Sequence, residues 1–421
     1  MSKKIVLFGV IGFLLAGVVA AGVFFLYPYP PNEPPKADDV GSTPQGIAEV
    51  VSANNNFTFD LYTKLGKTED GNIFYSPYSI SAALAMTYEG AKEQTADEIK
   101  SVFHFPEASA LRPNFAAIYN TINQGSQDYA LSTGNALWTQ KTFPFLEEYK
   151  TLVENYYGGK AADLDFVNET EKSRQTINSF IAAQTNNKIT ELIPQGLLNT
   201  MTRLVLTNAI YFKGTWKWEF DKSKTYQEAF NVTPTDVVQT QMMHMNPTKT
   251  TFNYVKTNDL QVLEMPYKGD NLSMFILLPT TDIGSIEPSL TAQKLEEYKL
   301  QLEPTNMDLI ALPRFEFKTS YSLNDPLKEL GMPTAFSSSA DFSGMDGNRD
   351  LFIDFVLHKA YVNVDEQGTE AAAATAVGMA LTAAPSLPQN VFRADHPFVF
   401  VIQEKQTGNI LFLGRVTDPT K

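Results

Sequence analysis

Residues 366–384 read "EQGTEAAAATAVGMALTAA". Nearly every residue is small, and the only charges are Glu366 and Glu370. On either side stand "DLFIDFVLHKAYVNVD" (350–365) and "HPFVFVIQEKQTGNILFLGRV" (396–416), both of which read as buried strands. Three readings of the stretch stand side by side. As a strand, it carries Thr369, Ala371, Ala373, Thr375, Val377, Met379 and Leu381 on one face, with no charge. The other face carries Glu370, Ala372, Ala374, Ala376, Gly378, Ala380 and Thr382. The alanine run suits a helix equally, because alanine has the highest helix propensity. A solvated linker is the third reading. The strand reading has a mechanical consequence. A chain reversing at Gly368 would lay 369–382 antiparallel to 352–365. Roughly a dozen new ladder bonds would then release on the order of 10 kcal/mol. A loop held outside the sheet would store that energy.

The rest of the chain narrows the function. It has 421 residues, 43% hydrophobic and 12% aromatic, enough for a large core. From Ile47 onward no linker and no internal repeat divides it. The net charge of −14 argues against a nucleic-acid binder. With no cysteine, disulfides, thiolate metal sites and a cysteine nucleophile are excluded. Four scattered histidines and no HExxH give no metal site. No Gly-x-Ser-x-Gly or Gly-x-Gly-x-x-Gly occurs. "LGKT" (65–68) fails as a P-loop, since Leu61 stands where the first glycine belongs. The residues therefore give no active site and no cofactor: the chain reads as a non-enzyme.

At the N-terminus Lys3 and Lys4 precede an uncharged run, 5–27, long enough to span a bilayer. The expected layout is a cytoplasmic tip (1–4), a transmembrane signal anchor (5–27), a Pro-rich stalk (28–45) and a body (46–421). The positive end stays inside, so the body is expected on the extracellular face, single-pass anchored. Cleavage near Ala20–Gly22 would instead make it secreted. The sequons at Asn56, Asn168, Asn231 and Asn271 read equally as glycan sites or as chance.

The first two-fifths of the body read as helices. Ser76 and Pro77 mark one start, Thr95 caps a second, and 168–187 is a third. Strand-like runs follow at 203–214, 260–267, 272–279 and 307–317, then a C-terminal hairpin around "EKQTG". Helices first and strands later predict an α+β class.

"VDEQGTEAAAATA" (364–376) resembles the hinge of the inhibitory serpins, the serine protease inhibitors that insert a reactive loop into a β-sheet. "NIFYSPYSISAALAMTYEGAKEQTADEI" (72–99), "TNAIYFKGTWKWEF" (207–220) and "DHPFVFVIQEKQTGNILFLGRVTDP" (395–419) are similar to serpin segments, in the same order. The resemblance covers about 46–421. It implies about nine helices, three β-sheets and an exposed reactive-centre loop. The hinge is then Glu366, Gly368, Thr369, Glu370 and Ala371–Ala374. Ser76, Ser79, Asn208 and His358 match the shutter under the main sheet, and Trp216 matches the breach at its top. Counting along the loop puts the bait bond at Thr382–Ala383, with Leu381 and Met379 as rivals. A small β-branched bait suits an elastase-like or a subtilisin-like serine protease. The single Arg112 in "ALRPNFAAIYNTIN" argues against heparin-type activation. The implied protein is a monomeric suicide inhibitor. The alternative is a non-inhibitory serpin acting as a surface binding or chaperone-like module.

Overall fold

Two Thr/Ser-Pro pairs start the first two helices among the described residues. The computed structural model describes residues 36–123, 129–133, 135–247, 250–369 and 389–421. The segment expected as an anchor lies outside these, as do Glu370–Ala374 of the hinge and Met379, Leu381, Thr382 and Ala383. Ser76 caps the helix Pro77–Gly90 by accepting the Ser79 N–H, as its sequence predicts. Thr43 does the same for Pro44–Leu65, accepting the Gly46 N–H. That second pair falls within the stretch read as a stalk. The stretch is instead docked where it is described. Ala37 exchanges two 2.9 Å hydrogen bonds with the Asn120 side chain. The Thr43 N–H donates to Asn114 at 2.8 Å. The expected cap at Thr95 is also corrected. The helix runs Glu93–Val102 with Lys92 at its cap position, and the Thr95 hydroxyl accepts the Asp341 N–H. Helix Thr170–Gln184 lies inside the expected span.

The described residues hold nine α-helices and three sheets in an α+β arrangement, as expected. One sheet has seven strands, with the C-terminal hairpin Phe398–Glu404 and Ile410–Val416 near one edge. A second has four, including Thr225–Thr233, Asp236–Met245 and Leu309–Pro313. The main sheet runs from Phe315–Ser322 through Leu357–Asp365 and the short Gly368–Thr369 to Ile210–Thr215 and Tyr129–Thr133. Below, Leu204–Thr207 pairs with Ala136–Gln140, which pairs with Lys160–Leu164. These halves form one sheet, because the register does not slip. Thr133 faces Ile210, and three residues on Ala136 faces Thr207.

The run 307–317 does not form one strand. The Arg314 N–H still bonds to Gln241 in the four-stranded sheet, while Phe315 already pairs in the main one. One apolar run thus stitches two sheets together.

Behind the main sheet lies an aromatic core. Phe212 meets Phe412 at 5.9 Å, and Phe315 meets Phe400 at 5.5 Å. These contacts join it to the seven-stranded sheet. On the front, Ile177, Phe180 and Ile181 of the helix Thr170–Gln184 pack with Trp138, Val205 and Tyr361. Those three residues come from three different strands, so this helix lies across the middle of the sheet.

Candidate functional site

The site begins where the strand Leu357–Asp365 turns back. Glu366 and Gln367 make the turn, and Gly368–Thr369 then pairs on both sides. Thr369 faces Val364 on one side and Gly214 on the other. Gly368 faces Asp365 and Thr215. Two residues of the hinge thus sit as a wedge between the central strands. Only glycine fits at the turn. Gly368 has φ 149°, and a Cβ there would lie 1.9 Å from the Gly214 carbonyl oxygen. Thr369 is buried, and its hydroxyl meets the Tyr267 hydroxyl at 2.7 Å.

Trp216 closes the floor of this mouth. It is fully buried and stacks on Tyr267 at 4.6 Å. Its indole N–H donates to the Asp365 carbonyl at 3.1 Å, and its backbone N–H to Gln367 at 2.7 Å. Glu366 pins the turn from the side. Its buried carboxylate takes two hydrogen bonds from Arg314, at 2.8 and 2.6 Å, and one from the Thr225 hydroxyl. Burial alone would raise this carboxyl, but the bonds from Arg314 and Thr225 outweigh it and hold it below the usual range.

Below the wedge the two central strands come together. The pairs flanking the wedge, Gly214 with Val364 and Thr215 with Asp365, stand 150 residues apart. So do Ala209 and Lys359, which bridge directly in parallel. One register therefore runs down both strands, open above and closed at Ala209.

The next row is Asn208 and His358, also 150 apart, and here the residues expected as a shutter, Ser76, Ser79, Asn208 and His358, meet. The His358 Nδ1 lies 3.0 Å from Asn208 Oδ1, and its Nε2 accepts the Ser76 N–H at 3.1 Å. Those partners place the proton on Nδ1. The Asn208 amide donates to the Ser79 carbonyl and to Asn135 Oδ1. Burial alone pushes the His358 imidazole down to about 3, so the ring is neutral. The structure thus brings together Ser76, Ser79, Asn208 and His358, and keeps Trp216 apart at the mouth. Sequence reasoning missed Gly214, Tyr267, Arg314, Thr225 and Asn135. Only Gly214 carried a local signal, a glycine ending an apolar run. Arg112, singled out from the helix Ala108–Ile122, forks onto the buried Glu89 at 3.0 and 2.7 Å.

The family model for Serpin (serine protease inhibitor) matches residues 52–419. This chain belongs to the serpin family. Human leukocyte elastase inhibitor is 42% identical over 89% of the chain and 100% of its own length. A serpin-like protein of Methanosarcina mazei is 42% identical over 88% of each chain. Among solved structures, uncleaved ovalbumin superposes with a TM-score of 0.78 at 30% identity, covering 88% of this serpin and 100% of ovalbumin. One expectation is overturned. Among the described residues no helix is long and apolar enough to cross a membrane. The human and rat elastase inhibitors, matched over their whole length, each cover 89% of this chain. The single-pass anchored, extracellular location does not stand.

An imidazole near 6.5 when unfolded and near 3 when folded binds fewer protons in the native state between those values. Its contribution is complete above pH 6.5 and is lost as pH falls towards 3. Between pH 7 and pH 5 wild type should lose about 2 kcal/mol more than His358→Asn, measured by urea unfolding. Parallel pH curves would refute the assignment. At the mouth, Arg314→Met leaves the Glu366 carboxylate buried without its cation. With the Arg314 side chain 42% exposed, the cost should be about 2 kcal/mol, below that of a fully buried pair. A wild-type urea midpoint in this variant would show the pair to be idle.

Proposed function

We propose that this serpin inhibits a serine protease as a suicide substrate, by loop insertion into its main sheet. The observation that carries the reading is the wedge: Gly368 and Thr369 already pair on both sides, in the register that continues down to Ala209 and Lys359. The chemistry starts as ordinary proteolysis. The target's serine oxygen attacks the Thr382 carbonyl carbon, and its base carries the proton to the leaving amine of Ala383. The peptide bond breaks and an ester to the protease forms. Residues 370–382 are now tied only at Gly368. They extend the wedge downward and carry the esterified protease with them. Distortion of the protease's oxyanion site then slows hydrolysis, since one lost donor there costs about 10²–10³ in rate.

Composition supports each step. No charge and no proline falls on the face that Thr369 leads. A proline would remove a ladder donor, and a charge would be buried unpaired. Insertion must break the Ala209–Lys359 bridge and part His358 from Asn208. Roughly a dozen ladder bonds, worth on the order of 10 kcal/mol, outweigh that. The small bait Thr382 suits an elastase-like target, and human leukocyte elastase inhibitor is a 42% identical relative.

Incubation with an elastase-like and a subtilisin-like protease should yield a complex that survives denaturant. The released peptide should begin at Ala383. Cleavage with no complex, and no gain in thermal stability, overturns the proposal. Thr369→Arg should leave the cleavage rate unchanged and raise the stoichiometry of inhibition at least tenfold. Undiminished trapping by that variant would remove the insertion step.

A further inference from the structure

We infer that the turn 346–350 is a calcium site, held by the carboxylates of Asp346 and Asp350 with the Asn348 side chain between them. The turn reads "DGNRD", with oxygen-bearing side chains at alternate positions. A hard cation takes about six to eight oxygens, from carboxylates, amides, carbonyls and water. The run matches only the first half of the calcium-loop pattern D-x-[DN]-x-[DN]-G-x5-E. Leu351 stands where the glycine belongs and Leu357 where the glutamate belongs. By spacing alone it is half a motif.

The state of Asp346 points to a ligand. It ends the helix Ser343–Asp346 and is 5% exposed. One carboxylate oxygen accepts the Asn348 N–H at 2.8 Å. The other is buried and has no hydrogen-bond partner. The group that faces this carboxylate is a second one, Asp350, within hydrogen-bond reach. Buried carboxylates are ordinarily met by donors or a cation, because a bare buried charge is costly. The cation of the turn, Arg349, points elsewhere: its guanidinium meets Asp341 at 2.7 Å and Glu93 at 3.1 Å. Among the described residues no Lys, Arg or His lies within ion-pair distance of Asp346 or Asp350.

A calcium ion between the two side chains gives the buried oxygen a partner and cancels their repulsion. The donor set selects the ion. It holds oxygens only, which suit calcium or magnesium and not the metals that favour imidazole or thiolate. Among the described residues no group of three or more His, Cys, Asp or Glu could hold a metal, so the site has two carboxylates and water completes its shell. Few charged ligands on a flexible turn give a weak calcium site, with Kd about 10⁻⁴–10⁻³ M. Magnesium demands a stricter octahedron and gives up its water reluctantly. The ion would also brace the fold. Met345 is anchored beside the site: its carbonyl accepts the Leu146 N–H at 2.8 Å, and its side chain packs on Gly90. From Asp350 the chain runs on to the central strand Leu357–Asp365. An ion shared by Asp346 and Asp350 ties that run to the anchored corner. The competing arrangement is a proton shared by the two carboxyls, since burial and the Asp350 charge push the Asp346 carboxyl up.

The full chain, freed of metal by dialysis against a chelator, should bind one equivalent of radiolabelled calcium with Kd about 10⁻⁴–10⁻³ M. Calcium at about 10 mM should raise the Tm by roughly 2 °C. Magnesium should bind at least tenfold more weakly. Asp346→Asn and Asp350→Asn should each weaken calcium binding at least tenfold, while Asp354→Asn, an exposed carboxylate nearby, should leave it unchanged. Asp350 is exposed, so its variant keeps the test decisive even if Asp346→Asn fails to fold. No saturable calcium binding, an equal response to magnesium, or binding untouched by Asp350→Asn overturns the proposal. A Tm that ignores calcium but rises on acidification to about pH 5, and no longer does so in Asp350→Asn, assigns the pair a shared proton. That result also overturns the calcium site.

Discussion

The central strands of the main sheet bridge directly at Ala209 and Lys359 and are parted five rows higher by Thr369. The rest of the molecule depends on that half-open state. A sheet admits a new strand only if its neighbours move from one strand spacing to two, a shift of about 4.8 Å. Here the shift has been made at the top and not at the middle. The strands Leu357–Asp365 and Ile210–Thr215 are parallel neighbours that need something between them to complete their ladders above Ala209. Gly368 and Thr369 supply it for two rows. The helix Thr170–Gln184, packed across Trp138, Val205 and Tyr361, bears on all three strands that would have to slide.

On the insertion reading the barrier to further opening would be polar and neutral. Asn208, His358, Ser76, Ser79 and Asn135 form one buried network in which the imidazole carries no charge. A charged shutter would leave a buried ion unpaired on opening, a cost of several kcal/mol. A neutral one leaves amide and imidazole groups that new backbone and hydroxyl partners can satisfy. On the insertion reading Thr375 arrives in the row of Asn208 and His358, with a hydroxyl that both donates and accepts. The network can therefore hold the sheet closed without making the open sheet prohibitive.

The cap at Ser76 and the C-terminal hairpin were legible because their signals are local. Ser76 before Pro77, and the alternation around "EKQTG", report on neighbours within a few residues. Thr43 before Pro44 carried the same signal, but the surrounding prolines masked it as a stalk. The shutter was legible only through family motifs, since nothing in the spacing of 76, 208 and 358 brings them together. Tyr267 and Arg314 were not legible at all. Tyr267 matters because it stacks on Trp216 and meets Thr369. Arg314 matters because the chain changes sheets there, a tertiary event that an unbroken apolar run conceals. The row offset of 150 that orders the whole site has no trace in either strand alone.

That offset also accounts for the two charges of the opening stretch. Glu366 stands in the turn, before the first inserted residue, so it never has to enter the sheet. Its bonds to Arg314 hold the turn, and on the insertion reading they would keep the pivot still as the chain beyond it descends. Glu370 is the single charge beyond the pivot. On the insertion reading it would fall on the face opposite Thr369, one row further down, with Lys213 and Asn363 as its neighbours across the sheet. Directly opposed residues share a face, and opposite charges there contribute roughly 0.2–1 kcal/mol. On the insertion reading the first residue to enter after the wedge would meet a lysine rather than an apolar wall, so a carboxylate in this alanine run would be the least costly way to take the next step.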